Sequence, residues 1–101
     1  MIVTVFRSRL KPGAKEDYTA LAAEMAQLAR AMPGYVSHKG FWADDGERVT
    51  IVEFRDVESQ RAWAVQARHV EAKKKGRADF YEEYKVQVCS VVRESTYKAP
   101  V

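Results

Sequence analysis

The sequence contains a single cysteine, Cys89, no asparagine, three prolines and five glycines among its 101 residues. One thiol excludes an intrachain disulfide and a cysteine-cluster metal site, and the expectation that follows is a reduced, cytoplasmic setting. No apolar run approaches the roughly 20 residues needed to span a bilayer, and the first residues carry no cleavable signal pattern. A membrane partner is therefore not expected. So little glycine and proline excludes a collagen-like chain, while 47% hydrophobic residues are too many for a disordered one. Coiled coil, internal repeats, low-complexity segments and linkers are absent as well. Neither sign of charge dominates, with 17 Lys+Arg against 14 Asp+Glu and a net of +3.

That surplus is local. Residues 68–77 hold Arg68, Lys73, Lys74, Lys75 and Arg77 against Glu71, a net of +4, so the other 91 residues sum to −1. The Lys73–Lys75 run reads as a solvated helix face. It is too short, and too poorly interleaved with aromatics, to suggest nucleic acid. One domain over residues 1–101 is expected, because two halves would each be too small to fold alone. Its core is modest, and a second copy would let it bury more.

Ile2 to Leu10 is rich in β-branched and aromatic residues and reads as a strand, stopped by Lys11-Pro12-Gly13. Tyr18, Leu21, Met25, Leu28 and Met32 recur every three or four residues, which predicts a helix over Ala14 to Met32 ended by Pro33-Gly34. Tyr35 to Trp42 and Arg48 to Phe54 predict two strands joined at Asp44-Asp45-Gly46. Asp56 is a good N-cap for the next helix, with Ser59 a competing start, and Trp63, Ala67 and Val70 form its apolar stripe. If that helix ran unbroken, Lys74 would fall on the same stripe. A break near Arg68 to Val70 is therefore expected, then a short helix leading to Gly76 and a turn, Asp79 to Tyr84, presenting Phe80, Tyr81 and Tyr84. Lys85 to Tyr97 predicts a final strand with Val86, Val88 and Val92 on one face, too long for its sheet and overhanging it.

The order β-α-β-β-α-β is the ferredoxin-like split βαβ arrangement, an α+β fold with helices on one face of a four-stranded antiparallel sheet. Strands 2–10 and 48–54 carry apolar residues on both faces. Nothing in the chain remains to cover the second face, so a homodimer packed through the open sheet face is expected.

Trp63 to Tyr84 reads W-x5-H-x2-A-x3-G-R-x2-F-Y-x2-Y, followed by an alternating strand and later Arg93 and Tyr97. With the Lys11-Pro12-Gly13 turn and the Pro33-Gly34-Tyr35 junction, this resembles the antibiotic biosynthesis monooxygenase (ABM) domain over nearly the whole chain. The resemblance implies a dimeric α+β barrel with pockets between each sheet and its own helices. It also implies activities such as cofactor-independent oxygenation of polyketide hydroquinones, haem degradation, or action on signalling molecules.

On that footing His69 is the catalytic candidate. An imidazole near neutral pH can take a phenolic proton, and an electron-rich phenolate can pass an electron to dioxygen without metal or flavin. The plainer alternative is a histidine that bonds backbone at the helix break. Trp63 is either a core aromatic or a wall stacking on a flat substrate, or both. On an unbroken helix Trp63 and His69 would point about 120° apart, so the break is a condition for both lining one pocket. Phe80, Tyr81 and Tyr84 are candidate substrate-binding rings, otherwise core aromatics with hydroxyls at the rim. Arg77 either holds an anionic group or bonds carboxylates and helix-end carbonyls. His38 has no spacing that supports a shared metal site, and no metal is expected. The haem-degrading members carry an Asn, Trp, His set, and the absence of asparagine here departs from it. The expectation is a cofactor-free monooxygenase of a small phenolic or quinol-like aromatic substrate and dioxygen. Haem binding, or a non-enzymatic ligand-binding or stress-linked dimer, are the alternatives.

Overall fold

β1 (Ile2–Leu10) lies inside a four-stranded antiparallel sheet, between β3 (Arg48–Phe54) and β4 (Tyr81–Ser90), with β2 (Tyr35–Trp42) outside β3. The computed structural model describes all residues from Met1 to Val101. Between the strands run α1 (Lys15–Arg30), α2 (Val57–Ala64) and α3 (Ala67–Lys75), and a single π-helical turn, Gly76–Phe80, leads into β4. The strand order β2-β3-β1-β4 is that of the ferredoxin-like α+β fold.

Register decides which face each residue takes. Ile2 lies opposite Phe54, Thr4 opposite Val52 and Phe6 opposite Thr50, all toward the helices; Val5 lies opposite Ile51 and Arg7 opposite Val49 on the other face. The helix side closes into a core of Met25, Ala29, Val52, Phe54, Trp63 and Ala72, with Leu21, Leu28 and Met32 packed against it. Thus the three-and-four spacing of α1 does what its periodicity predicts. On the opposite face Val3, Val5, Val49 and Ile51 are only half-buried, and no helix covers them.

Asp56 caps α2, its carboxylate accepting from the Ser59 N–H at 2.8 Å, so the competing start at Ser59 is not used. The helix break falls at Val65–Gln66 rather than near Arg68 to Val70. Gln66 sets its position: the side-chain oxygen accepts from the His69 N–H at 2.7 Å and opens a new helix there. Ala72 becomes the buried residue of α3, and Lys73 to Lys75 stay exposed.

Gly76 does not stop the chain with a positive φ; it keeps a helical φ of −58° and continues into the π turn. Its missing side chain matters instead, since a Cβ there would overlap the Tyr81 ring. Tyr81 and Tyr84 belong to β4 and not to a turn, and the strand starts four residues before Lys85. It also ends earlier, at Ser90, after which Val91 N–H donates to the Met1 carbonyl at 3.1 Å. Val92, expected on the strand, lies beyond it and is 97% exposed.

Candidate active site

Trp63 closes the last full turn of α2 and His69 opens α3, and the break between them folds one onto the other. Their rings stack with centroids 4.1 Å apart and planes 10° from parallel. The indole is 6% exposed and anchored in the core. Nδ1 of His69 lies 2.9 Å from the Trp63 carbonyl oxygen. A carbonyl only accepts, so Nδ1 carries the proton, and Nε2 on the far side of the ring keeps a free lone pair. Burial pushes the imidazole pKa below its ordinary value of 6.5; the bond to Trp63 opposes this, and the charge of Lys73 adds to it. His69 is therefore a neutral base with its tautomer fixed.

These two rings form one wall of a cavity of about 270 Å³ between the sheet and the helices. All six residues singled out from the sequence, Trp63, His69, Arg77, Phe80, Tyr81 and Tyr84, line it. Phe80 is 3% exposed and meets Tyr18 edge-on at 6.2 Å, so it belongs to the core as much as to the cavity. Tyr81 packs on Phe6 at 5.4 Å, and burial, followed by the neighbouring Tyr18 and Tyr84, raises its phenol pKa. Its hydroxyl stays protonated and is a hydrogen-bond donor at any physiological pH. The cavity opens along β4, where Tyr84 and Val86 are 43% and 47% exposed. Arg77 and Lys73 are exposed residues of the same lining and stand at its rim.

The lining also contains residues that sequence reasoning passed over. His38 was weighed only as a metal ligand, yet it lines the same cavity from β2. Its register opposite Val52 puts it on the helix side, and burial, then the charges of Arg30 and Arg48, lower its pKa below 6.5. No three His, Cys, Asp or Glu side chains converge as a metal site. Tyr18 and Thr50 also face the cavity; Tyr18 had been legible only as part of the apolar stripe of α1.

A family model for antibiotic biosynthesis monooxygenase matches residues 1–85. The chain belongs to the antibiotic biosynthesis monooxygenase family. The chain is 29% identical over 94 residues to YqjZ of Bacillus subtilis (strain 168), an uncharacterized protein, across 93% of this chain and 82% of that one. Rv0793 from Mycobacterium tuberculosis shares the fold with a TM-score of 0.85 at 19% identity, over 94% of this chain and 98% of the other. SnoaB from Streptomyces nogalater, a cofactor-independent oxygenase, aligns with a TM-score of 0.80 at 19% identity, over 92% and 94% of the two chains. At such identities the structural likeness establishes the ABM protomer fold. No helix is long and apolar enough to cross a membrane.

Proposed function

We propose that this ABM protein is a cofactor-independent monooxygenase of a small phenolic or quinol-like aromatic, with His69 as the base that takes the phenolic proton. The observation that carries the reading is the placement of His69, stacked on Trp63 and held through Nδ1 by the Trp63 carbonyl at 2.9 Å in the lining of an apolar cavity, which leaves Nε2 as the nitrogen free to take a proton. Trp63 backs the imidazole and holds it in place, Phe80 and Tyr84 bound the space for a flat ring beside it, and Tyr81 is the donor that orients a substrate oxygen. Membership of a family that includes an oxygenase without cofactor supports the same reading.

The chemistry balances without another reactant. His69 removes the hydroxyl proton, and the phenolate gives one electron to dioxygen, leaving a ring radical and superoxide. These combine at the ring carbon para to the oxygen, which in a substrate of this reaction carries a hydrogen and not a second hydroxyl. The imidazolium returns its proton to the resulting peroxide anion, and loss of water together with the ring hydrogen leaves a quinone. One oxygen atom enters the product and the other leaves as water.

Residues 1–101 act as one unit in this reading, paired with a second copy through the uncovered sheet face. The half-buried Val3, Val5, Val49 and Ile51 and the 43% exposed Phe41 support that pairing. A cytoplasmic setting accords with the lone, exposed Cys89. The reaction is tested with isotopically labelled dioxygen and a panel of naphthols, anthrones and hydroquinones, with no metal, haem or flavin added. A quinone carrying one labelled oxygen is expected from at least one of them. Turnover that appears only with haem, or with none of the panel, contradicts the proposal.

A further inference from the structure

The basic segment that stands out in the sequence is not uniformly solvated. Arg68 is held by Glu24 through two hydrogen bonds and by Glu71 at 3.1 Å, and Lys75 is paired with Asp79 at 2.8 Å. Neither lines the cavity, and both are paired with carboxylates. Lys74 is exposed and takes no part in the lining. The remaining two cations, Lys73 and Arg77, line the cavity, and neither has a carboxylate partner. Lys73 gives one hydrogen bond at 2.7 Å to the Ala64 carbonyl, which holds its ammonium beside the Trp63–His69 wall without cancelling its charge. The Arg77 side chain, on the π turn, makes no hydrogen bond or ion pair. No Asp or Glu lines the cavity. An apolar chamber thus has a rim with two positive charges and no negative one.

From this asymmetry we infer that the ligand is an amphiphilic anion, a hydroxylated aromatic carrying a carboxylate. The ring enters between Phe80 and Tyr84 with its hydroxyl toward His69, and the carboxylate stays at the mouth on Arg77. A planar guanidinium fork matches a carboxylate in two parallel hydrogen bonds, so Arg77 suits this group better than an ammonium would. The partly exposed rim lets the carboxylate keep some water while it is bound, which removes the penalty of burying it. Lys73 adds field at short range and disfavours a second cation nearby, consistent with its effect on His69.

The inference rests on the aromatic-pocket reading above, and the test separates the two. Isothermal titration calorimetry compares naphthol with hydroxynaphthoate, the same ring and hydroxyl with a carboxylate added, in the wild type, Arg77→Gln and Arg77→Lys. The carboxylate is expected to bind about ten-fold more tightly to the wild type. That preference should vanish in Arg77→Gln, return in part in Arg77→Lys and shrink as salt is raised. An unchanged affinity for naphthol in both variants certifies that the pocket is intact. Equal binding of the two probes by the wild type, or an Arg77→Gln change that weakens both alike, overturns the anion inference and leaves the pocket standing. Binding of neither probe overturns the aromatic pocket and this inference with it.

Discussion

The side-chain oxygen of Gln66 accepts the backbone N–H of His69 at 2.7 Å, and this one bond sets where the second helix of the βαβ unit breaks and where its histidine starts. Without it α2 has no reason to stop at Ala64, and the Trp63 and His69 rings would diverge. Removing the cap by Gln66→Ala is expected to lower unfolding free energy by about 1 kcal/mol. It should also lower turnover through a misplaced imidazole, whereas Gln66→Asn, which keeps an accepting oxygen at a capping position, should retain more of both. Chemical denaturation together with oxygen-uptake rates checks the pair of effects; equal stability of Gln66→Ala and wild type would contradict the capping role.

Two histidines in one cavity impose a pH signature. Burial lowers the pKa of both His69 and His38 below 6.5. Below about pH 6.5 the unfolded chain takes up protons that the folded chain refuses, so stability should fall as the solution is acidified through this range and level off above it. The carboxylates with lowered pKa, Glu24 and Asp45 among them, act only at more acid pH. Turnover should rise with pH through a midpoint below 6.5, the range in which His69 loses its proton. Urea midpoints measured from about pH 5 to 8, in wild type and in His38→Gln, read the stability slope, which the variant should flatten in part.

Gly76 illustrates a constraint that propensity alone would misjudge. Alanine is the better helix former, and φ at this position is helical. A Cβ would nevertheless overlap the Tyr81 ring. Gly76→Ala is therefore expected to destabilise by about 1–3 kcal/mol and to disturb near-ultraviolet tyrosine dichroism. A stabilised variant would show that Tyr81 is not held against this turn.

Much of this architecture is legible in the sequence for identifiable reasons. The α1 stripe of Tyr18, Leu21, Met25, Leu28 and Met32 announces its helix by spacing, and Asp56 announces a cap by chemistry. The need to keep Lys74 off the apolar stripe shows that a break must occur, but it constrains the break only to lie somewhere before that residue. Its actual place depends on Gln66, a residue with no strong capping preference. The π turn has no sequence signature, so the pattern places the start of β4 at Lys85 and Tyr81 and Tyr84 in a turn, four residues late. His38 is a cavity residue through its register opposite Val52, which is a property of two paired strands and not of either segment alone.

The uncovered sheet face leads to an expectation about assembly. Val5 and Ile51 lie side by side on it. Sedimentation should show a species of twice the 11.5 kDa chain mass, and Val5→Lys, which places a charge at the centre of that face, should give the single chain. A wild type that sediments as one chain would rule out pairing through this face.

In the proposed reaction His69, held by the Trp63 carbonyl, is the base that starts oxygen chemistry without a cofactor. The most direct measurement is oxygen uptake on the best substrate of the panel by wild type and His69→Ala, each shown to be folded and to bind that substrate. Positioned general bases contribute about 10²–10⁴-fold, so a loss of that size is expected in the variant, with binding largely kept. Equal rates for the two proteins would contradict it.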